Sequence, residues 1–301
     1  MPVRISADSL FRIGKTHQVC QDYAASFVDG EDGYAYLSDG CSTALSDPMS
    51  GCGKPQVYTD FGSRLLVLSA LDAHSPGLNR QPDLDKIISH AKSRAIGMGL
   101  GIDAVSATFL SVYTLGEHLV AMVSGDGWVA GRKYSGEWEV TQVKYPSGAP
   151  YYPRYSLVQS DLEGYLGRFG SNYLINMWSG WRPGKDLVDP VVWPRELGEN
   201  HSSFHRNEFL FPFDEFDLVL AFSDGLETFG KVEDSGSSKL VESISVAQVL
   251  SETVGCLVGM GGEFLKRNLN GPTGAFRRFA KLGWEHHDDL SVVGVFRKES
   301  E

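Results

Sequence analysis

The feature that most constrains how this sequence can fold is a repeated pattern: a short apolar run ends in an aspartate followed by a glycine. The pattern occurs in segments 34–40, 120–127 and 218–225, which supply Asp39, Asp126 and Asp224. A fourth apolar run, 288–296, has the reverse order, because Asp288 and Asp289 come first. Apolar runs of this length are typical of strands. On antiparallel neighbouring strands, all four acidic ends would lie at one edge of a sheet.

Carboxylates crowded at one sheet edge repel one another, so a stable arrangement requires cations between them. Carboxylate oxygens are hard ligands, and they favour Mg²⁺, Mn²⁺ or Ca²⁺ over softer metals. The sequence therefore predicts a site for a hard divalent cation.

Composition and charge narrow the choice of partner and compartment. The chain has 301 residues, of which 42% are hydrophobic, and this is enough for a substantial core. The formal net charge of −11, without a basic run to offset it, argues against a nucleic-acid partner. No apolar stretch approaches the roughly 20 residues that a membrane span needs, and the N-terminal residues lack the apolar core of a signal peptide.

The cysteines show neither Cys-x-x-Cys pairing nor the density of a disulfide scaffold, and they are Cys20, Cys41, Cys52 and Cys256. Free thiols suit a reducing compartment. We therefore expect a cytoplasmic protein without a membrane or nucleic-acid partner.

Periodicity along the chain predicts sheet and helix in separate blocks. Segments 22–28 and 33–38 are typical of a hairpin, and apolar residues at helical intervals predict helices over 57–74, 84–98, 246–258 and 262–282. Four β-like runs with Gly-containing turns predict a meander over 107–113, 119–123, 128–133 and 138–143. Strands in runs and helices in pairs favour an α+β fold, with antiparallel sheet flanked by helices.

One long segment, 144–208, has no clear periodicity and is rich in Pro, Tyr, Trp and Gly. Such a segment is either a functional flap that shapes substrate choice or an irregular insertion packed against the sheet. No repeat, low-complexity tract or linker divides the chain, so we expect residues 1–301 to form a single domain.

Taken in order, the acidic motifs resemble those of a known family. The series is Gln21-Asp22, Ser38-Asp39-Gly40, Gly125-Asp126-Gly127, Ser223-Asp224-Gly225 and Asp288-Asp289-Leu290-Ser291-Val292. It resembles the ordered motifs of the metal-dependent PP2C-type protein serine/threonine phosphatases, over nearly the whole chain. The motifs Gly14-x-x-His17 and Cys20-Gln21-Asp22 are similar to those of the bacterial branch of that family.

This resemblance implies a four-layer α-β-β-α sandwich with a pair of Mn²⁺ or Mg²⁺ ions at the sheet edge. By motif, Asp39 would bridge the two ions, the carbonyl of Gly40 would ligate one, and Asp224 and Asp288 would complete the other. Asp22 would hold a coordinated water. Asp126 matches a position that contributes to a third, weaker metal site, and Asp289 is a further candidate at a position where many members carry asparagine.

The implied activity is hydrolysis of phosphoserine and phosphothreonine in a protein substrate, which would link the chain to a serine/threonine kinase pathway. Chemistry supports this independently. Two cations roughly 3.5–4 Å apart can lower the pKa of a bridging water and neutralise charge on the phosphoryl group during in-line attack. No covalent phosphoenzyme is then required.

The sequence departs from the family pattern at the phosphate anchor and at the proton donor. Relatives carry arginine four residues before a Glu-Asp pair, where this chain has His17 and Gln21-Asp22. Lys15 or His17 could contact phosphate instead, although neither offers the bidentate fork of arginine. Relatives often have histidine where this chain has Cys41. A coordinated water, or His286 or His287, could then supply the proton, unless these two histidines lie in a solvated loop.

Other phosphatase classes fit poorly. A cysteine-dependent enzyme needs arginine six positions after its nucleophile, but those positions hold Ser26, Asp47, Tyr58 and Gly262. A haloacid-dehalogenase-type enzyme needs aspartate two positions after Asp39, where Cys41 stands. The remaining alternative is a catalytically weak PP2C-like module that regulates or binds phosphoproteins. The departures from the family pattern at His17, Gln21 and Cys41 are the reason to retain it.

Overall fold

Two antiparallel sheets stack face to face, and helices cover their outer faces. The computed structural model describes residues 3–40, 61–74, 81–197, 205–232 and 240–299. The strands are β1 (Val3–Arg12), β2 (Tyr23–Asp29), β3 (Asp32–Ser38), β4 (Phe109–Leu115), β5 (His118–Ser124), β6 (Gly127–Lys133), β7 (Trp138–Lys144), β8 (Asn172–Trp181), β9 (Val191–Glu196), β10 (Asn207–Pro212), β11 (Phe216–Phe222), β12 (Phe229–Val232), β13 (Leu240–Ser243), β14 (Trp284–His286) and β15 (Leu290–Glu299). The α-helices are α1 (Phe61–Ala73), α2 (Leu84–Gly97), α3 (Gln159–Phe169), α4 (Val246–Gly255), α5 (Phe264–Asn270) and α6 (Ala275–Leu282).

Strand pairing defines a seven-stranded and a five-stranded sheet, with a small third sheet beside them. The seven-stranded sheet has the order β1-β15-β11-β6-β7-β8-β9, and the five-stranded sheet has the order β10-β5-β4-β3-β2. The third sheet has the order β13-β12-β14. All named strand pairs are antiparallel.

The alternation of apolar side chains explains why the sheets stack. On β11, Leu218 and Leu220 pack with α4, α5 and α6, whereas Val219 and Ala221 face the other sheet. Because successive side chains of a strand point to opposite faces, a fully apolar strand needs a partner layer on each side. Each fully buried Leu side chain contributes about 1.5–3 kcal/mol.

The five-stranded sheet repeats this arrangement on the other side. Tyr34 and Tyr36 of β3 pack with α1 and α2, whereas Ala35 and Leu37 face the seven-stranded sheet. Three buried clusters therefore separate four layers, in the order helices, sheet, sheet, helices. The α-β-β-α sandwich expected from the sequence is confirmed.

Several local predictions are confirmed with shifts of a few residues. β2 and β3 form a hairpin whose turn contains Gly30 at a φ of 62°. The first two predicted helices correspond to α1 and α2, although residues 57–60 lie outside the described part of the chain. Asp83 caps α2 by accepting a hydrogen bond from the backbone N–H of Lys86 at 3.1 Å.

The predicted meander over 107–143 is wrong, because its strands belong to two sheets. β4 pairs with β5 in one sheet and β6 pairs with β7 in the other. The chain crosses between the sheets at Gly125 and Gly127, whose φ values are 102° and 142°. A Cβ on Gly127 would lie 2.8 Å from the carbonyl oxygen of Phe222 in the opposite strand, so this crossing requires glycine.

The predicted helix over 262–282 is two helices. α5 ends at Asn270, and α6 begins at Ala275 after Gly271-Pro272-Thr273-Gly274. A Cβ on Gly274 would lie 2.5 Å from the carbonyl oxygen of Leu269, so the chain turns tightly against the end of α5. Proline lacks a backbone N–H and cannot continue the helix, which explains the interruption. Outside the gaps in the described chain, no helix has the length and apolar character to cross a membrane.

Segment 144–208, predicted to be a flap or an irregular insertion, contains regular elements that join the sandwich. Helix α3 lies within it, and β8 and β9 extend the seven-stranded sheet beyond β7. Residues 198–204 lie outside the described part. The regular part of the segment is thus built into the sheet. The next strand, β10, forms an edge of the other sheet.

A buried aspartate joins the first strand to the helical layer. Asp8 is 2% exposed, and its Oδ2 accepts hydrogen bonds from the backbone N–H groups of Leu265 at 2.6 Å and Lys266 at 3.1 Å. Burial raises the pKa of Asp8, and these backbone hydrogen bonds oppose the rise. The carboxylate satisfies N–H groups at the start of α5 that have no partner within the helix.

Candidate active site

The predicted acidic residues lie at strand ends that come together at one end of the sandwich. Asp22 immediately precedes β2 and Asp39 immediately follows β3, and the pairing of Tyr23 with Ser38 sets them side by side. Asp224 follows β11 at the end of the other sheet. The prediction that these acids share the edge of one sheet is wrong. They meet where the ends of two stacked sheets adjoin.

A buried hydrogen-bond network joins the two sheet ends. Asp22 is 1% exposed, and its Oδ2 accepts a hydrogen bond from the hydroxyl of Ser223 at 2.8 Å. The same hydroxyl accepts a hydrogen bond from the backbone N–H of Ser291 at 2.9 Å. The carboxyl group of Asp39 lies near those of Asp22 and Asp224, whose negative charges raise its pKa. Asp39 is thus the central carboxyl group of the cluster.

The pKa values of these carboxyl groups are raised, mainly by burial. Burial raises the pKa of Asp22 to about 7, although hydrogen bonds from Asp39 and Ser223 oppose the rise. Burial, together with the charges of Asp22 and Asp224, holds the pKa of Asp39 well above its usual range. The pKa of Asp224 is raised to about 6 by burial and by the charge of Asp288. Carboxyl groups that lie close together cannot all ionise easily, which raises the pKa of at least one of them.

Asp126 also belongs to the cluster. It lies between the two positive-φ glycines of the sheet crossing, and burial followed by the charge of Asp224 raises the pKa of Asp126 to about 8. Gly40 lies next to Asp39 and forms an isolated bridge with Ala107. The backbone of Asp39 is fixed from both sides, because its N–H donates to the hydroxyl of Thr108 at 3.1 Å and its carbonyl accepts from the Thr108 N–H at 2.9 Å.

Asp288 lies at the rim. Its side chain is 43% exposed, and its Oδ1 is 3.5 Å from Nε2 of His17. The backbone N–H of Asp288 donates to the hydroxyl of Thr228 at 3.2 Å. Asp288 therefore lies on the solvent side of the cluster, and its negative charge helps to raise the pKa of Asp224.

The chemistry of the donor atoms, all of them carboxyl oxygens, suits a hard divalent cation. Asp22 Oδ1 is buried without a hydrogen-bond partner in the described structure, and the other donors are carboxyl oxygens whose pKa values are raised by burial. A cation would supply the positive charge that offsets these crowded carboxylates. Within the described ranges, no group of three or more His, Cys, Asp or Glu side chains is arranged as an ion would require.

Comparison with known proteins gives a structural likeness. No protein-family model and no curated protein matches the sequence. The structure is similar to a variant of a bacterial serine phosphatase, with a TM-score of 0.51 and 10% sequence identity over 98% of this chain and 99% of that chain. The chain has a PP2C-like fold.

Two further structures with this fold have lower scores. The S. agalactiae serine/threonine phosphatase has a TM-score of 0.46 and 14% identity, with coverage of 97% of this chain and 99% of that chain. PppA from Pseudomonas aeruginosa has a TM-score of 0.44 and 15% identity, with coverage of 98% of both chains.

In this PP2C-like fold, Asp289 holds the loop that precedes Asp22. Asp289 is 1% exposed, and its carboxylate accepts hydrogen bonds from the backbone N–H groups of Gly14, at 2.6 Å, and Gln21. Nδ1 of His17 lies 3.0 Å from the same carboxylate. Both oxygens of Asp289 are thus engaged by the loop. A Cβ on Gly14 would lie 2.3 Å from the carbonyl carbon of Asp288, so the loop passes too close for a larger residue.

The two predicted phosphate contacts lie in different surroundings. Lys15 forms an ion pair with Glu285 on β14, whereas His17 lies between Asp288 and Asp289. Only His17 is beside the acidic cluster. The alternative that His286 lies in a solvated loop is wrong, since His286 is 8% exposed and ends β14. Cys41 lies outside the described residues.

Sequence reasoning missed two polar residues that support the cluster. Ser223 bridges Asp22 and Ser291, as described above, and its signal was the serine that precedes the aspartate in the Ser-Asp-Gly motif. Glu227 accepts hydrogen bonds from Trp128 Nε1 at 2.9 Å and Gln142 Nε2 at 2.6 Å, and its charge helps to raise the pKa of Asp126. Nothing in the sequence around Glu227 identified it, because its partners come from distant strands.

Proposed function

We propose that this chain is a metal-dependent phosphatase that hydrolyses phosphoserine and phosphothreonine in proteins. The observation that carries the proposal is the position of Asp39, which lies near Asp22 at the end of its own sheet and near Asp224 at the end of the other. A cluster of buried acids without a matching set of basic groups is costly for a folded protein, and a functional site is the usual reason for such a cost. The PP2C-like fold supports the assignment.

The proposed cofactors are two Mn²⁺ or Mg²⁺ ions held by Asp39, the carbonyl of Gly40, Asp224 and Asp288, with Asp126 at a third, weaker site. When bound, such ions would acidify a water and offset the charge of a phosphoryl group. Oxygen-only donors suit these ions. Asp289, whose oxygens are both engaged by the loop, is proposed to position His17 instead.

The chain's own residues would orient the reactants. Asp22 is fixed by the hydroxyl of Ser223, and its unpartnered Oδ1 can accept a hydrogen bond from the attacking water. His17 is partly exposed beside Asp288 and is the proposed phosphate contact. Lys15 is engaged by Glu285 and is the weaker candidate. His287 directly precedes Asp288, its Nε2 is buried without a hydrogen-bond partner in the described structure, and it is the proposed proton donor.

The proposed substrate is a phosphorylated protein from a serine/threonine kinase pathway, and residues 1–301 are proposed to act as one domain. The proposed location is the cytoplasm. Free thiols at Cys20 and Cys256 among the described residues support a reducing compartment.

The test is Mn²⁺-dependent release of phosphate from a phosphothreonine peptide. We expect activity that EDTA removes and that Asp39→Asn or Asp224→Asn lowers by about 10²-fold or more, because each removes charge from the reacting centre. Asp214→Asn is the matched control, since Asp214 is exposed in the turn between β10 and β11. Cys41→Ser should also keep activity. Undiminished turnover in both site variants would contradict the proposal.

The lack of an ion-type arrangement among the described acidic side chains favours one alternative, a phosphoprotein-binding module with little catalysis. That module would bind the phosphopeptide without turning it over at any Mn²⁺ concentration. Calorimetric titration of the same peptide, run beside the phosphate assay, separates the two functions.

A further inference from the structure

A groove outside the acidic cluster has the composition of a small-molecule site. Its volume is about 590 Å³, within the range of about 300–1,000 Å³ that is typical of ligand pockets. It lies between β1, the loop after β1, β12, α6 and β14. None of the acidic residues Asp22, Asp39, Asp126, Asp224 and Asp288 lines it.

Aromatic side chains form the apolar part of the groove. Phe279 packs edge-on against Phe229, with ring centroids 5.0 Å apart, and stacks on Trp284 at 5.7 Å with an interplanar angle of 19°. Phe276 packs on the other side of Phe279 at 5.9 Å. These rings hold one another in place, so they offer a preformed surface for the flat face of a ligand.

Arg12 supplies an unmatched positive charge beside the rings. Its Cζ lies 4.5 Å from the centroid of the Phe276 ring. Within the described residues, Arg12 has no ion pair and donates no hydrogen bond to an acidic group, whereas the nearby Lys15 is paired with Glu285. Partial burial lowers the pKa of Arg12, and no acidic neighbour opposes this effect. A guanidinium over an aromatic ring can still donate two parallel N–H groups to a bidentate partner such as a carboxylate.

From this juxtaposition we propose that the groove binds a small aromatic carboxylate, with its ring against Phe276, Phe279 and Trp284 and its carboxylate paired with Arg12. A planar carboxylate matches the guanidinium fork, and an apolar ring matches the aromatic wall. The net charge of −11 does not prevent this, because distant surface charges are screened within about 8 Å at physiological salt. Within the groove, the one lining carboxylate among the described residues, Glu285, is paired with Lys15.

The test compares indole-3-acetate with its uncharged analogue indole-3-acetamide, by isothermal titration calorimetry on the full chain. We expect saturable binding of the acetate and at least 10-fold weaker binding of the amide. Arg12→Met should weaken the acetate at least 10-fold and leave the amide unchanged, which also shows that the groove is intact. Arg277→Met is the matched control, because Arg277 is exposed on α6 and does not line the groove.

A second variant fills the groove without removing a buried group. Ala280 lines the groove from α6, so Ala280→Trp should abolish binding of both ligands. Four results would each overturn the proposal. They are equal affinity for the acetate and the amide, unchanged acetate binding by Arg12→Met, loss of both ligands in Arg12→Met, and no saturable binding of the acetate at 5 mM, which is roughly the limit of useful affinity. None of these outcomes depends on phosphatase activity.

Discussion

Replacement of Ser223 by alanine tests whether the two sheets are joined through the network at Asp22. The hydroxyl of Ser223 donates to Asp22 Oδ2 at 2.8 Å and accepts from the Ser291 N–H at 2.9 Å. Ser223 and Ser291 are 0% exposed and Asp22 is 1% exposed, so water cannot readily replace the lost hydroxyl. An unsatisfied buried polar group costs about 1–3 kcal/mol. With two such groups, we expect the free energy of unfolding to fall by about 2–4 kcal/mol.

The matched control is Ser69→Ala in α1. Ser69 is also 0% exposed, but within the described structure its hydroxyl has no hydrogen-bond partner. Removing it leaves no group newly unsatisfied, so the free energy of unfolding should change by less than about 0.5 kcal/mol or increase. Urea unfolding in EDTA, followed by tryptophan fluorescence, measures both variants. If Ser223→Ala were no less stable than Ser69→Ala, the network would not join the sheets energetically.

Three further predictions concern pH, a helix cap and a close backbone approach. Burial raises the pKa of Asp126 from 3.8 to about 8, so above pH 4 the folded cation-free protein retains a proton that the unfolded chain loses, and the free energy of unfolding should fall as pH rises from about 4 to 8. In a pH series of urea titrations in EDTA, Asp126→Asn should flatten this slope, and an unchanged slope would contradict the assignment. Asp8→Ala leaves buried N–H groups at the start of α5 unpaired, so it should lower the free energy of unfolding in urea by about 2–3 kcal/mol. The exposed cap variant Asp83→Ala should lower it by only about 1 kcal/mol. A Cβ on Gly225 would lie 1.8 Å from the carbonyl oxygen of Asp289, so Gly225→Ala should lower the thermal midpoint by several degrees. Gly164 on α3 faces open space, so Gly164→Ala should raise the free energy of unfolding by about 0.5–1 kcal/mol. Similar thermal midpoints for the two variants would refute this prediction.

Local sequence patterns predicted the strand ends well and the long-range arrangement poorly. The Ser-Asp-Gly motifs placed Asp39 and Asp224 at the ends of β3 and β11, as the structure shows. The same patterns could not show that β5 and β6 lie in different sheets. A tight Gly-containing turn between two apolar runs is compatible with a hairpin and with a crossing between stacked sheets, and only packing distinguishes them.

The loop before Asp22 shows a similar limit at the level of side chains. Lys15 and His17 are two residues apart, and both were predicted to contact phosphate. The structure directs Lys15 to Glu285 and His17 to the acids, because Asp289 binds the loop backbone at Gly14 and Gln21. The orientation of each side chain follows from a partner at the far end of the chain, which no local pattern reveals.

The sequence by itself identified the candidate acidic residues and placed them at strand ends, because strand termini and side-chain alternation are properties of a few consecutive residues. The tertiary structure alone decided which acids meet. Asp22 and Ser223 are 201 residues apart in sequence, and they touch only because both faces of each sheet are apolar and the two sheets must stack to bury them. Burial then raises the pKa values of the carboxyl groups, so the property that makes the cluster a candidate site arises from packing.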